Sequence, residues 1–231
     1  MKTDGPTTDA TAGFAATPRT TLKRMAKRGS YDRSVIHAIL DEALVCHVAF
    51  ARDSQPFVVP MIYARHGDSL YLHGSTANRT LRALVGGAQA CVTVTLIDGL
   101  VMARSAFHHS VNYRSVVLYG VASQVTDETE RTLAMRALIE HAAQGRWDEV
   151  RPPTREEMLR TLVVRLPVTE ASAKLRSGPP LDDEEDYAWP VWAGVIPLQL
   201  TASAAQNDPR LPNHVALPDY LAGYARPPRT R

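Results

Sequence analysis

Cysteine is scarce in this chain: 231 residues contain two, Cys46 and Cys91. Each lies in an apolar run and neither belongs to a CxxC pair or a Cys/His ligand spacing. That argues against a disulfide framework or a zinc site and for reduced thiols packed in the core of a cytoplasmic protein. Long hydrophobic runs are missing as well; with no stretch of about 18 apolar residues, no membrane-spanning helix is expected. Charge of one sign is also lacking. There are 26 Lys+Arg against 24 Asp+Glu, and no basic block larger than Lys23-Arg24 and Lys27-Arg28, so nucleic acid is not an expected partner. A GxGxxG turn and regular strand-helix alternation are both absent, which disfavours a dinucleotide-binding doubly wound sheet. What is present is 45% hydrophobic and 22% charged residues, enough to bury a core.

The first 29 residues, rich in Thr, Ala and Arg, contain Asp4 and Asp9 but no signal-type apolar stretch, and are expected to form a loose arm (1–29). Ser30 and Asp32 offer caps for a helix whose apolar stripe is Val35, Ile36, Ile39, Leu40 and Ala43. Strands are predicted over 44–51 and 56–65 around a turn at 52–55, then over 70–74 after a hairpin at 66–69. Ser75 and Thr76 can cap a short helix carrying Leu81, Leu84 and Val85, which Gly86-Gly87 stops. Further strands are predicted over 90–97 and 100–107 about an Asp98-Gly99 turn, then over 113–125 and 161–168. Asp127 caps a helix between the last two, and 154–159 adds a further helical turn or two. The fold class is therefore mainly β with inserted helices, an antiparallel barrel of six or seven strands closed on itself within a domain over 30–206. Recurrent prolines make 207–231 an extended, wrapping tail.

Two stretches carry more polarity than a core requires. "YLHGSTANRTLRAL" places a strand, a hydroxyl-bearing turn and a helix start in succession, with Arg79 one turn inside. Free N–H groups, hydroxyls and a guanidinium there would make a phosphate cradle, although Ser and Thr also open most helices simply as caps. "HHSVNYRSVVLYG" gives a strand an unusually polar head. His108 and His109 precede that strand as candidate proton donors, or as residues of a solvated loop. His47, in an apolar strand, reads as an interior histidine with a satisfied ring. The acidic run 182–186 reads as a solvated loop.

The order of "SLYLHGSTANRTLRAL", "HHSVNYRSVVLYG" and "VWAGVIPL" resembles the FMN-binding split-barrel family that includes pyridoxamine 5'-phosphate oxidase and the nitroimidazole-resistance proteins, most closely the branch related to the latter. The resemblance runs from about Pro18 to Leu221, and Asn112 to Val117 followed by Gly120 is its strongest element. It implies that Asn78-Arg79 stands where the oxidase holds the FMN phosphate. Ser115 takes the place of a flavin-contacting glutamine in the strand of Tyr113 and Arg114, and Trp192-Ala193-Gly194 corresponds to a Trp-x-Gly that borders the flavin from the partner subunit. The arginine that follows in the oxidase is missing, for Val195-Ile196-Pro197-Leu198 stands there, so vitamin B6 oxidation is disfavoured. Arg65 is a possible counterpart of basic residues on the second strand.

The expected protein is a homodimer with FMN in clefts at the subunit interface, acting as an oxidoreductase on a small organic molecule. The expected cofactor contacts are His73, Ser75, Asn78, Arg79, Tyr113, Arg114, Ser115, Lys174 and Trp192. The alternative is a non-catalytic protein that binds or senses flavin or haem, in which His108 or His109 would ligate iron.

Overall fold

A computed structural model describes residues 13–225. The chain runs β1 (Gly29–Ser30), α1 (Arg33–Glu42), β2 (Val45–Arg52), β3 (Gln55–Ile62), β4 (Ala64–His66), β5 (Ser69–Ser75), α2 (Arg79–Val85), β6 (Gln89–Met102), β7 (Ser110–Val121) and β8 (Ser123–Gln124). It continues with α3 (Glu128–Ala142), α4 (Arg155–Leu159), β9 (Thr161–Pro167), β10 (Glu170–Arg176), β11 (Gly194–Pro197) and α5 (Asp219–Ala222). All pairings are antiparallel. A seven-stranded sheet has the order β1-β10-β7-β6-β2-β3 with β11 added beside β6, and a four-stranded sheet has the order β4-β5-β9-β8.

The two sheets enclose one core. Strand alternation supplies it: Cys46, Val48 and Phe50 point inward from β2, Val92 and Val94 from β6, and Val116 and Leu118 from β7. Leu70, Leu72, Val164 and Leu166 meet them from the smaller sheet, and α1 closes the end with Ile36, Ile39 and Leu40. Asp32 caps α1 as expected, accepting from the backbone N–H groups of Ser34 and Val35. The chain changes sheet at single residues, Tyr63 between β3 and β4 and Ala122 between β7 and β8. Tyr63 is fully buried and its hydroxyl donates to the Leu40 carbonyl, pinning the corner to α1. At Gly120 the sheets approach so closely that a Cβ would stand 2.9 Å from Leu166 Cδ1, and a larger residue there would make that side chain shift.

Some expectations need correction. Residues 89–102 form one strand, and Asp98-Gly99 is a bulge within it, because β11 pairs with the second half of β6 and continues the ladder. The long run 56–65 is split between sheets at Tyr63. β10 pairs fully with β7 although its mixture of Ala, Ser, Lys and Glu carries little strand signal. His47 is exposed, since alternation that buries Cys46 and Val48 must turn it outward. The expected loose arm is docked from Phe14 onward: Phe14 is buried, its N–H donates to the Tyr31 carbonyl, and Arg33 lies over its ring. The tail is tied down by tyrosines, with Tyr220 donating to Glu149 and Tyr224 to the Ala142 carbonyl. Among the described residues, no helix is long and apolar enough to cross a membrane.

Candidate functional site

The turn between β5 and α2 is tighter than a cradle of free amides would be. The N–H of Thr76 donates to the Arg160 carbonyl, that of Ala77 to Ser75 Oγ, and that of Asn78 to the Ser75 carbonyl. Asn78, rather than Ser75 or Thr76, is the N-cap, and its Oδ1 accepts from the Leu81 N–H at 3.0 Å. These amides are spent on folding the turn. Asn78 serves the helix as its cap, and the amides of the turn are not those of the expected cradle, which are the first N–H groups of α2 itself, on Arg79 and Thr80.

Beside those first amides stands the guanidinium of Arg79. It is exposed and, among the described residues, meets no carboxylate. It lines an open groove of about 600 Å³ along α2 with Ala77, Arg82, Ala83, Gly86, Gly87, Ala88, Ala51 and Arg52. No acidic side chain contributes to the lining. Arg82 also meets no carboxylate among the described residues, and Arg52 has only a 3.5 Å contact with the exposed Asp53. Helical spacing puts Arg79 and Arg82 on one face, where like charges repel unless an anion sits between them. Arg82 could have been found from that spacing; Arg52 arrives from the end of β2, and only the fold brings it in.

The polar strand head has a different fate. Arg114 is locked, its Nε and Nη2 donating to Asp98 at 2.9 and 3.0 Å and its remaining N–H groups to Glu42. Its pKa is raised, chiefly by the Glu42 hydrogen bonds, so the pair of carboxylates holds a permanent cation. Arg114 is therefore a structural clamp between α1 and the β6 bulge and is corrected as a cofactor ligand. Asn112 is buried and donates to the Gly178 carbonyl at 3.1 Å, while Arg176 donates to Asn112 and to the Pro179 carbonyl, so both hold the Gly-Pro-Pro turn. Arg65 is likewise engaged, bonded through Nε and Nη2 to Asp41 at 2.7 and 2.6 Å.

Tyr113, Ser115 and Lys174 stand on the outer side of the large sheet. Ser115 is directly paired with Lys174 and its hydroxyl donates to the Lys174 carbonyl at 3.2 Å. Lys174 Nζ donates to the Arg24 carbonyl at 3.3 Å. The same face carries Thr95, His47 and the exposed apolar side chains Val45, Val58, Ile62 and Ile97. Trp192 is 66% exposed and lies over Gly194, where a Cβ would come within 2.8 Å of its ring. None of Tyr113, Ser115, Lys174 or Trp192 lines the arginine groove of this chain.

His73 shares its face of β5 with Tyr71 and sits opposite Val163, near the cluster under α3. Its Nδ1 is buried without a hydrogen-bond partner, and burial pushes its pKa down, so the ring is neutral. The two histidines before β7 point differently. His108 turns toward Ser105 and Asp182, whereas His109 is exposed and its Nδ1 lies 2.9 Å from the Ser105 carbonyl. A carbonyl can only accept, so Nδ1 carries a proton, and in the neutral ring the lone pair lies on Nε2. Phe107, 88% exposed, stands two residues away. Within the acidic run Asp182 is not solvated: its carboxylate is fully covered and accepts from the N–H groups of Arg104 and Ser105 and from the Arg104 side chain. His108, Asp182 and Asp186 bring ligand atoms within 4.8 Å of one another, but those bonds already occupy Asp182 and explain the cluster as a clamp on the loop between β6 and β7.

Comparison with known proteins agrees with this frame. A family model described as pyridoxamine 5'-phosphate oxidase matches residues 32–175. The structure of a flavocytochrome from Azotobacter vinelandii is similar with 41% identity and a TM-score of 0.83, covering 89% of this chain and 95% of that one. That of an FAD and haem binding protein from Mycobacterium smegmatis has 38% identity and a TM-score of 0.81, covering 85% and 96%. A putative 5-nitroimidazole antibiotic resistance protein from Bacteroides thetaiotaomicron shares the fold at 22% identity and a TM-score of 0.54, covering 63% and 85%. No curated protein matches the chain.

Proposed function

The chain belongs to the pyridoxamine 5'-phosphate oxidase-like family of flavin-binding split barrels, and from that premise we propose that it carries a flavin together with a haem and passes electrons between them. The observation that carries the flavin half is Arg79, an arginine without a carboxylate partner among the described residues on a groove without acidic lining, at the position the family resemblance implies for phosphate. A charge-assisted bond from its guanidinium to a phosphate stabilises the complex by about 1.5–3 kcal/mol. Ser75, exposed beside it, supplies a hydroxyl.

The haem half draws on the two relatives at 41% and 38% identity, whose descriptions are a flavocytochrome and an FAD and haem binding protein. His109 suits an iron ligand, because the residue is exposed and the Ser105 carbonyl engages Nδ1, which leaves Nε2 of the neutral ring as the ligating atom. Phe107 offers an apolar surface for a porphyrin edge. Flavin and haem supply the electron transfer; the chain supplies placement, charge and exclusion of water.

A homodimer completes the reading. The outer sheet face exposes Val45, Val58, Ile62 and Ile97 around Tyr113, Ser115 and Lys174, a surface that a second copy would cover and convert to a cleft for the ring. The exposed Trp192 would then lie against the flavin held by the partner. Absence of an arginine in 195–198 disfavours a phosphorylated B6 vitamer as substrate.

The test is a visible spectrum of the purified protein supplied with flavin and haem during expression. Flavin absorption and a Soret band in equimolar amounts are expected, with the Soret band shifting or vanishing in His109→Ala and returning when imidazole is added. A protein that takes up neither chromophore overturns the proposal; an unaltered Soret band in His109→Ala removes His109 as the ligand.

A further inference from the structure

The docked N-terminal segment ends in a fixed basic knob. Residues 23–28 read Lys-Arg-Met-Ala-Lys-Arg, four cations in six positions. Lys23, Arg24 and Lys27 are exposed and Arg28 is half-buried, and among the described residues none of the four meets a carboxylate. The knob is tied on both sides. Lys174 Nζ donates to the Arg24 carbonyl at 3.3 Å, the Arg28 N–H donates to the Met25 carbonyl at 2.9 Å, and the next residue, Gly29, begins the pairing of β1 with β10. Ahead of it, the Tyr31 hydroxyl donates to the Thr20 carbonyl at 2.9 Å. Met25, in the middle of the run, is 53% exposed and has φ 56° and ψ 46°, a left-handed conformation that is strained for any residue with a Cβ. The fold thus holds an apolar side chain in solvent between unpaired cations, at a position that glycine would fill without strain.

We propose that this knob is the docking surface for a small acidic one-electron carrier protein, an inference that rests on the electron-transfer reading above. A flavin and a haem that exchange electrons need a source of them outside the chain. The register sets the knob beside the face assigned to the ring. Gly29, Lys174 and Ser115 are successive partners across β1, β10 and β7, so the residue after the knob lies two strand spacings, about 10 Å, from Ser115. Lys174 adds a fifth cation between them. Unpaired cations steer an acidic protein to the contact and fix its orientation, and one apolar side chain among them supplies the close contact of a small, short-lived interface. Nucleic acid and membrane fit less well. The chain is balanced at 26 basic against 24 acidic residues, and the knob exposes one large apolar side chain where a membrane-seated segment inserts a whole apolar face. Each docking passes one electron: the carrier's iron–sulfur centre is oxidised by one, this protein is reduced by one, and no bond forms or breaks.

Calorimetric titration of the full-length protein with a two-iron ferredoxin of net negative charge tests this. Micromolar binding is expected at low salt, weakened about tenfold or more when salt is raised to about 0.3 M. Lys27→Glu/Arg28→Glu should weaken binding by about tenfold or more, whereas Arg155→Glu/Arg160→Glu, an equal change of charge on exposed residues of and beside α4, should leave it unaltered. Met25→Gly separates docking from folding, since it removes the side chain and accommodates the left-handed backbone: it should melt close to the wild type and bind several-fold more weakly. On anaerobic mixing, reduced ferredoxin should be oxidised about tenfold more slowly by Lys27→Glu/Arg28→Glu than by the wild type. Absence of salt-sensitive binding, equal binding or equal rates in Lys27→Glu/Arg28→Glu, or an equal loss in the α4 variant overturns the inference. So does knob-dependent sedimentation with phosphatidylserine vesicles in a protein that ignores ferredoxin, which makes the partner a membrane. Heat reports binding without the chromophores, so a protein that binds ferredoxin through the knob but carries neither flavin nor haem overturns the earlier reading and leaves the docking surface standing.

Discussion

Arg114 and Arg79 are the same residue in two opposite situations. At the head of β7, Arg114 is 17% exposed and saturated by Glu42 and Asp98, whose carboxylates come from α1 and from the bulge in β6. Along α2, Arg79 and Arg82 are partnered by no acid among the described residues, on a groove floored with alanine and glycine. Both lie in segments where a motif reading expects cofactor contact. The difference shows that polarity in a motif marks a position that needs charge, while the neighbours decide whether the charge serves the fold or a ligand.

That contrast is open to direct attack. Arg114→Ala should have the largest effect on stability, a loss of about 3 kcal/mol in urea titrations, because removing a mostly buried cation leaves two carboxylates facing each other. Flavin affinity of the remaining folded protein should hold; if affinity collapses while stability is kept, Arg114 belongs to the site after all. Arg79→Ala should do the reverse. It lowers flavin affinity by about 10- to 100-fold, from the lost phosphate bond, and shifts stability by no more than about 0.5 kcal/mol as surface changes do.

A smaller effect sharpens the comparison through pH. His73 is neutral because burial depresses its pKa below the ordinary 6.5. As pH falls through 6.5 the unfolded chain takes up the proton first, so stability declines from there down to the folded pKa and then levels. His73→Gln should flatten that decline in thermal melts across pH 7 to 5, leaving a residual slope from His37, which is depressed by burial in the same sense. A slope unchanged in His73→Gln would place the buried ring elsewhere. The smallest expected effect concerns chemistry that should not occur. Burial pushes the Cys46 thiol up to about 12, so thiol reagents at pH 8 should leave it unlabelled in the native protein and label it promptly in urea.

Much of the frame was legible in the chain. Apolar runs marked β2 and β7, alternation marked β6, the apolar stripe and Asp32 marked α1, and Gly86-Gly87 marked the end of α2, because each rests on a local rule of composition, period or capping. Strand β10 was not legible, since its stability comes from pairing along the whole length of β7 and not from its own residues. Neither was the Asp98-Gly99 bulge. The same dipeptide makes a hairpin turn in isolation, and it became a bulge because β11, far along the chain, pairs with β6 across it. His47 was misjudged because an apolar run was taken to be buried on both faces, whereas β2 is covered on one. For the site, Arg79 was visible from its motif, while Asn112 and Arg176 turned out to be spent on a Gly-Pro-Pro turn that no spacing rule connects to them.

By itself the sequence determined the mainly β class, most of the strands and helices in their order, and the placing of a lone guanidinium after a tight turn, because these follow from periodicity, capping and turn chemistry over a few residues. Only the tertiary structure decided which charges are free. Availability is a property of distance between residues remote in the chain: Glu42 and Asp98 reach Arg114 across the fold, no carboxylate among the described residues reaches Arg79 or Arg82, and Arg52 joins their groove from another hairpin.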